Sequence, residues 1–154
     1  MKFNTPLLQR LIDEQPYNHR ESKVMNVIEQ RQLIADIKLN IENILNTRSL
    51  GIQLPEELIA LKNSILNYGM IDFSHSHFGH KSSQTMLCQH IKENILHSEK
   101  RLSDVYIEIL TSDIAVNRTI KLKIYAKLNS SMINTAATFD SSWDYFRQKF
   151  TIDG

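Results

Sequence analysis

The chain has 154 residues, of which 42% are hydrophobic and 23% charged, and its formal net charge is +1. That length fits one globular domain burying roughly 70% of its unfolded surface, and a near-balanced charge with no Lys/Arg cluster longer than a pair argues against a nucleic-acid partner. The single cysteine, Cys88, can form no internal disulfide and reads as a small buried apolar residue. The N-terminus lacks a signal-peptide core and no apolar run approaches the ~20 residues of a membrane span, so a cytoplasmic protein without direct membrane insertion is expected.

Residues 1–23 read as an N-terminal segment separate from a single α+β domain over 24–154. Leu7, Leu8, Leu11 and Ile12 fall at the spacing of one or two amphipathic helical turns with Pro6 at the start. A helix that short is not stable alone, so these leucines are expected to dock on something.

A first helix is predicted from about Val27 to Arg48, with Ile34, Ile37, Ile41, Ile44 and Leu45 on one face and Ser49-Leu50-Gly51 ending it. A second is predicted after Pro55, with Glu56 and Glu57 in its first turn and Leu58, Leu61 and Ile65 as its apolar stripe, stopped at Asn67-Tyr68-Gly69. Residues 69–81 read as a solvated connector. The spacing His75-x-His77-x-x-His80 could ligate a divalent metal, but a closed zinc site wants a fourth ligand, with only Cys88 or His90 nearby, so neither a metal nor another cofactor is expected. A third helix is predicted from the N-cap pair Ser82-Ser83 to about Ser98, burying Leu87, Ile91 and Ile95 with Cys88 and Leu96.

Between Ile95 and Leu110 the apolar rhythm changes from three-to-four residues to strict alternation across Glu99-Lys100-Arg101. Helix gives way to sheet there, and the last helical turn and first strand share one corner. Val105, Ile107 and Ile109 alternate with polar residues, as do Ile120, Leu122, Ile124, Ala126 and Leu128, and a turn between Ser112 and Asn117 makes these strands an antiparallel pair with lysines on the outer face. A third strand is predicted over Ile133–Phe139, and Trp143–Ile152 fits either a fourth strand or a terminal helix. The expected fold is α+β, with about three helices packed on one face of a small antiparallel sheet of three to four strands. An uncovered edge of such a sheet offers main-chain hydrogen bonds to another subunit.

No glycine-rich phosphate loop, Gly-x-Ser-x-Gly, Cys-x-x-Cys or His-Glu-x-x-His occurs, and no catalytic residue is assigned. The one enzymatic alternative is glycan hydrolysis by two carboxylates, with Glu42, Glu57, Glu93 and Glu99 as nominal candidates and Trp143 to line a sugar cleft.

Asn46-Thr47-Arg48 at the end of one amphipathic helix, the run Ser64 to Phe73 at the end of the second, and Glu99-x-Arg101-Leu102 leading into a strand occur in that order. The arrangement, over about residues 7–140, resembles the baseplate wedge family of contractile injection machines, which comprises the TssE-type subunits of type VI secretion systems and their phage-tail relatives. The resemblance implies a non-enzymatic, structural role in the cytoplasmic baseplate, near the membrane only through the assembled machine. It implies binding to the TssF and TssG wedge subunits, contact with TssK and the VgrG spike hub, and initiation of the TssB/TssC contractile sheath. The family signature is Glu-Pro-Arg; here it reads Glu99-Lys100-Arg101, with the charges kept and the proline replaced. Glu99 and Arg101, with Leu7, Leu8 and Leu11 of the N-terminal segment, are the implied partner-binding residues, and charge reversal at the corner is expected to spare the isolated fold while abolishing sheath assembly. Two alternatives remain open: a lysozyme-like glycan hydrolase, as some phage relatives suggest, and a regulatory anti-adaptor that binds a response regulator.

Overall fold

The computed structural model describes residues 2–4, 6, 11, 17, 27–51, 55, 57–62, 64–73, 78, 80–111, 119–129, 136–144 and 146–153. The chain divides into two compact units, residues 1–37 and 38–154.

In the first unit, strands β1 (Lys2–Asn4) and β2 (Val27–Glu29) pair antiparallel, with Phe3 opposite Ile28. Helix α1 (Gln30–Asn46) follows at once, so the predicted start at Val27 is too early by one short strand. The Glu29 N–H donates to the Gln32 side-chain oxygen at 3.2 Å, which satisfies one of the donors a helix start leaves open. Leu11 is helical and 75% exposed, whereas Leu7, Leu8 and Ile12 lie outside the described residues.

Helix α1 buries Leu33, Ile37, Ile41, Ile44 and Leu45, a stripe stepping by three and four. Leu33 takes the place assigned to Ile34, which is only half-buried. The helix ends at Asn46, before the predicted Arg48, where Thr47 turns back to donate from both its N–H and its hydroxyl to the Asn43 carbonyl.

The second unit holds the sheet. Strands β3 (Leu102–Thr111), β4 (Thr119–Leu128), β5 (Ala136–Asp144) and β6 (Lys149–Asp153) form an antiparallel meander in that order, which places β3 and β6 at the edges. The tail is thus strand, and Trp143 belongs to β5 opposite Phe150 of β6. The predicted turn at 112–117 and the residues Ile133 to Thr135 lie outside the described residues. Alternation works as predicted in β4, where Ile120, Leu122, Ile124, Ala126 and Leu128 are all buried and Lys121, Tyr125 and Lys127 are exposed. On the outer face Lys123 pairs with Asp140 at 3.5 Å and the Tyr125 hydroxyl donates to Glu108 at 3.1 Å.

Helix α3 (Lys81–Ser98) buries Leu87, Ile91 and Ile95, and Cys88 is half-buried, its thiol pushed up in pKa by burial. The helix starts one residue earlier than predicted, with His80 at the N-cap and the two serines inside the first turn. The Gln84 side chain donates to the Phe78 carbonyl at 2.8 Å and ties down the preceding loop.

The predicted second helix does not form as one element. It is reduced to a single turn, α2 (Ile59–Lys62), and a 3-10 turn at Ile65–Asn67. The Ser64 hydroxyl donates to the Leu61 carbonyl and accepts the Leu66 N–H, so a side chain takes over the hydrogen bonding that would have continued the helix. Its expected apolar stripe is left in solvent: Leu58 and Leu61 are exposed and Ile65 is 87% exposed. The described residues therefore contain two long helices where about three were expected.

The connector after Gly69 is also less solvated than its composition suggests. Phe73 and Phe78 are buried, in a run of ring contacts from His90 to Phe73 (5.7 Å), Phe73 to Phe78 (6.1 Å), Phe78 to Trp143 (5.0 Å) and Trp143 to Phe150 (5.9 Å). Large aromatic surfaces join the connector to α3 and to the last two strands, edge-to-face at His90–Phe73 and Phe78–Trp143 and stacked at Trp143–Phe150.

Candidate functional site

The charged knot lies where the period switch places it, between α3 and β3. Glu99 caps the helix in a non-helical conformation (φ −107°, ψ 88°), its N–H donating to the Ile95 carbonyl at 2.7 Å. The Leu102 N–H then donates to the Glu99 carbonyl at 3.2 Å, closing a β-turn with Lys100 and Arg101 in its middle. The Asn129 N–H donates to the Arg101 carbonyl at 2.7 Å and fastens the corner to the end of β4.

Glu99 is only 3% exposed. Its carboxylate accepts the Arg101 N–H (3.2 Å) and Nε–H (2.7 Å) on one oxygen, and Arg101 Nη2–H (2.5 Å) and Asn40 Nδ2–H (2.7 Å) on the other. This is a two-pronged guanidinium–carboxylate pair with a third side chain from α1. Burial alone would push the Glu99 carboxyl up, but the hydrogen bonds from Arg101 and Asn40, together with the Arg101 charge, outweigh it and hold the group below the usual carboxylate range. Tyr68 is close enough for burial first, and then the Glu99 charge, to push its phenol up. Glu99 is interior, so reversing its charge is not expected to spare the isolated fold, contrary to the expectation from sequence, whereas Arg101, about a third exposed, is the member that reaches solvent.

Lys100 sits where proline is easily accepted. Lys100 occupies the second position of the Glu99–Leu102 turn, its φ is not positive, and the residue before it is already outside the α region. Lys100→Pro is accordingly expected to stabilise the protein by about 0.4–1 kcal/mol through a stiffer unfolded chain. Urea unfolding of the two proteins checks this, and a lower midpoint for the proline variant would refute the turn assignment.

The other two quoted pieces meet at a second junction in the same unit. Met70 N–H donates to the Thr47 carbonyl (2.8 Å) and Ser49 N–H to the Met70 carbonyl (3.0 Å), a parallel bridge between Arg48 and Met70. Gly69 has φ +99°, and a Cβ built there would collide with the Thr47 carbonyl. The Asn46 carboxamide donates to the Phe150 carbonyl (3.0 Å) and accepts the Phe150 N–H (2.8 Å), so one side chain imitates a neighbouring strand on β6. Arg48 Nη2 donates to the Gln148 carbonyl at 3.3 Å and to its side-chain oxygen at 2.5 Å, holding a non-glycine residue at φ 47°.

The remaining predicted residues do not converge. His75 and His77 lie outside the described residues, His80 caps α3, and among the described residues no three His, Cys, Asp or Glu side chains gather as metal ligands. Glu57 and Glu93 are exposed, Glu42 is half-buried, and Glu99 is fully engaged by its donors. Trp143 is 2% exposed within the aromatic core, so it lines no cleft. Sequence reading missed Asn40 and the strict need for Gly69. The available signals were an asparagine in mid-helix, where its propensity is poor, and a glycine directly after a capped turn.

Among the described residues no helix is long and apolar enough to cross a membrane. No curated protein matches the chain significantly. The family profile described as baseplate wedge protein gp25 matches residues 31–132, from the start of α1 to just past β4. That match takes in Asn40, the Asn46–Arg48 junction, Gly69 and the Glu99–Arg101 corner, and the chain belongs to the baseplate wedge protein gp25 family.

Proposed function

We propose that this chain is a TssE-type wedge subunit of a type VI secretion baseplate, where it joins TssF and TssG and starts polymerisation of the TssB/TssC sheath. TssK and the VgrG hub are further neighbours, and the assembly works in the cytoplasm without a cofactor. The observation that carries the reading is the Glu99–Arg101 pair: a carboxylate withdrawn from solvent that holds a guanidinium, about a third exposed, at a corner built by α3, β3 and α1. Glu99 is then a positioning residue, and Arg101 is the group that meets the partner. A docking group held by rigid elements loses little entropy on binding.

Two features support accompanying contacts. Asn46 occupies the edge of β6 at Phe150, whereas among the described residues no strand lies beyond β3, which leaves β3 as the edge for strand addition by a sheath subunit. Leu11 is exposed on a helical turn, and with Leu7 and Leu8 it docks on a wedge subunit.

Arg101→Lys tests the reading, because it keeps a cation beside Glu99 and removes the fork. The variant is expected to melt near the parent while assembled sheaths per cell fall at least tenfold, the scale of losing one oriented charge contact at an interface. Sheath counts equal to the parent's would overturn the assignment.

A further inference from the structure

Strand β6 is five residues long and lies at one end of the sheet, and two side chains occupy its outer edge. The Phe150 N–H donates to the Asn46 carboxamide oxygen at 2.8 Å, and the Phe150 carbonyl accepts from the carboxamide nitrogen at 3.0 Å, so both backbone groups point away from β5. In an antiparallel pair one residue of the neighbouring strand supplies this same two-way exchange. Asn46 therefore stands in for one residue of a fifth strand. Two positions back, the Gln148 carbonyl accepts from the Arg48 guanidinium at 3.3 Å. Outward-facing backbone groups recur at every second residue of a strand, so Asn46 and Arg48 meet successive outward positions.

Edge groups of this kind, left open, are a template for another chain. A fitting strand lies at the other end of the sheet. Among the described residues no strand lies beyond β3, and β3, β4, β5 and β6 alternate in direction. The β3 of a second copy, placed beside β6 by carrying the sheet onward, would therefore run antiparallel to β6 with the same face turned inward. The buried Phe150 and Ile152 of β6 would then continue into Val105 and Ile107 of β3, and the exposed Lys149 and Thr151 into Tyr106 and Glu108. Such a contact is head-to-tail: each added copy brings a new open edge, so growth does not close on itself.

We propose that the β6 edge is a second strand-pairing surface, fitted to β3 of another copy of this chain and kept shut by Asn46 and Arg48. With the lock in place the chain stays monomeric and offers strand addition at β3 alone. The inference goes beyond the baseplate reading and does not depend on it, since neither Glu99 nor Arg101 takes part.

The test compares the parent chain with Asn46→Ala/Arg48→Ala and with Asn40→Ala, which removes a tertiary hydrogen bond of the same helix and leaves β6 untouched. Light scattering gives the mass of each protein when dilute and when concentrated, and amide hydrogen exchange followed by NMR gives protection residue by residue. The parent and Asn40→Ala are expected to keep the monomer mass throughout. When dilute, the double variant is expected to exchange its Phe150 amide about fivefold faster than the parent, the scale of one lost hydrogen bond. When concentrated, it should gain mass while Phe150 and the amides of β3 become protected together. Asn46→Asp accepts from the Phe150 N–H but has no donor for its carbonyl, so it should show both changes to a smaller extent, and it carries the test if the double variant does not fold. Unlocked variants that stay monomeric when concentrated would refute the lock, and a parent that associates would mean that the edge is not shut. Equal association of Asn40→Ala would assign the effect to lost stability instead. Protection of Phe150 without β3 would mean that β6 pairs with β6 and would overturn the assigned strand.

Discussion

Replacing Glu99 by lysine is expected to cost about 3–5 kcal/mol of folding stability, the range for breaking a buried ion pair and leaving a charge uncompensated. The new ammonium would stand where two oxygens now receive Arg101 and Asn40, beside a guanidinium of the same sign. Glu99→Gln keeps the shape and loses the charge. It should cost less, about 1.5–3 kcal/mol, the scale of hydrogen bonds to a charged group. Urea unfolding of the three proteins at pH 7 checks both values, and a lysine variant as stable as the parent would mean that Glu99 is not buried as described.

The same pair sets an acid limb. Because the folded-state pKa of Glu99 lies below its unfolded value, the stabilisation is present above the unfolded pKa, near 4.3 for a glutamate. It is lost as the pH falls below that value and through the lower folded pKa. Glu99→Gln removes this limb, so the two stability curves should converge on acidification from pH 5 to pH 2. Curves that stay parallel across that range would show that the carboxylate is not the linked group.

The second large effect is expected at Gly69. An alanine there must adopt φ near +99° and would set its Cβ against the Thr47 carbonyl, which is backbone and is itself bonded to the Met70 N–H. Backbone strain of ~1–3 kcal/mol and overpacking of similar size together predict a loss of about 2–4 kcal/mol. Gly51→Ala is the control. Its φ is also positive, but nothing lies within 4 Å of the added Cβ, so it should lose only the ~1–2 kcal/mol of left-handed strain. Equal losses at the two positions would mean that the Thr47–Met70 junction relaxes around the methyl group.

These two sites belong to one arrangement. Helix α1 is tied through Asn40 to the α3–β3 corner and through Asn46 to β6, while Thr47 and Arg48 hold the segment that Gly69 lets approach. The family pieces that look scattered in the chain are thus the contacts by which one helix end is joined to three other elements. A baseplate subunit loaded by its neighbours gains from such cross-links, since a docking group is only as well placed as the elements behind it.

Periodicity made much of this legible. The strand β4, the buried stripe of α3 and the corner between helix and sheet follow from which residues are apolar and at what spacing, because side-chain direction repeats every 3.6 residues in a helix and every two in a strand. The second helix shows where that reasoning fails. Leu58, Leu61 and Ile65 have the right spacing, yet the Ser64 hydroxyl divides the segment between Leu61 and Ile65, and the stripe stays in solvent. The aromatic connector shows the converse, since Phe73 and Phe78 carry no period and are buried all the same.

By itself the sequence determined the α+β class, the alternation of the strands, the position of the Glu99–Arg101 knot at the period switch, and the resemblance that named the family. Only the tertiary structure decided that Glu99 is buried, that Asn40 is its second partner beside Arg101, that the tail is a strand with its edge held by Asn46, and that Gly69 is required by a neighbouring carbonyl. The reason is range. Period and turn chemistry act between residues a few positions apart, whereas these contacts join residues 59 and 104 positions apart, a separation at which spacing along the chain carries no geometry.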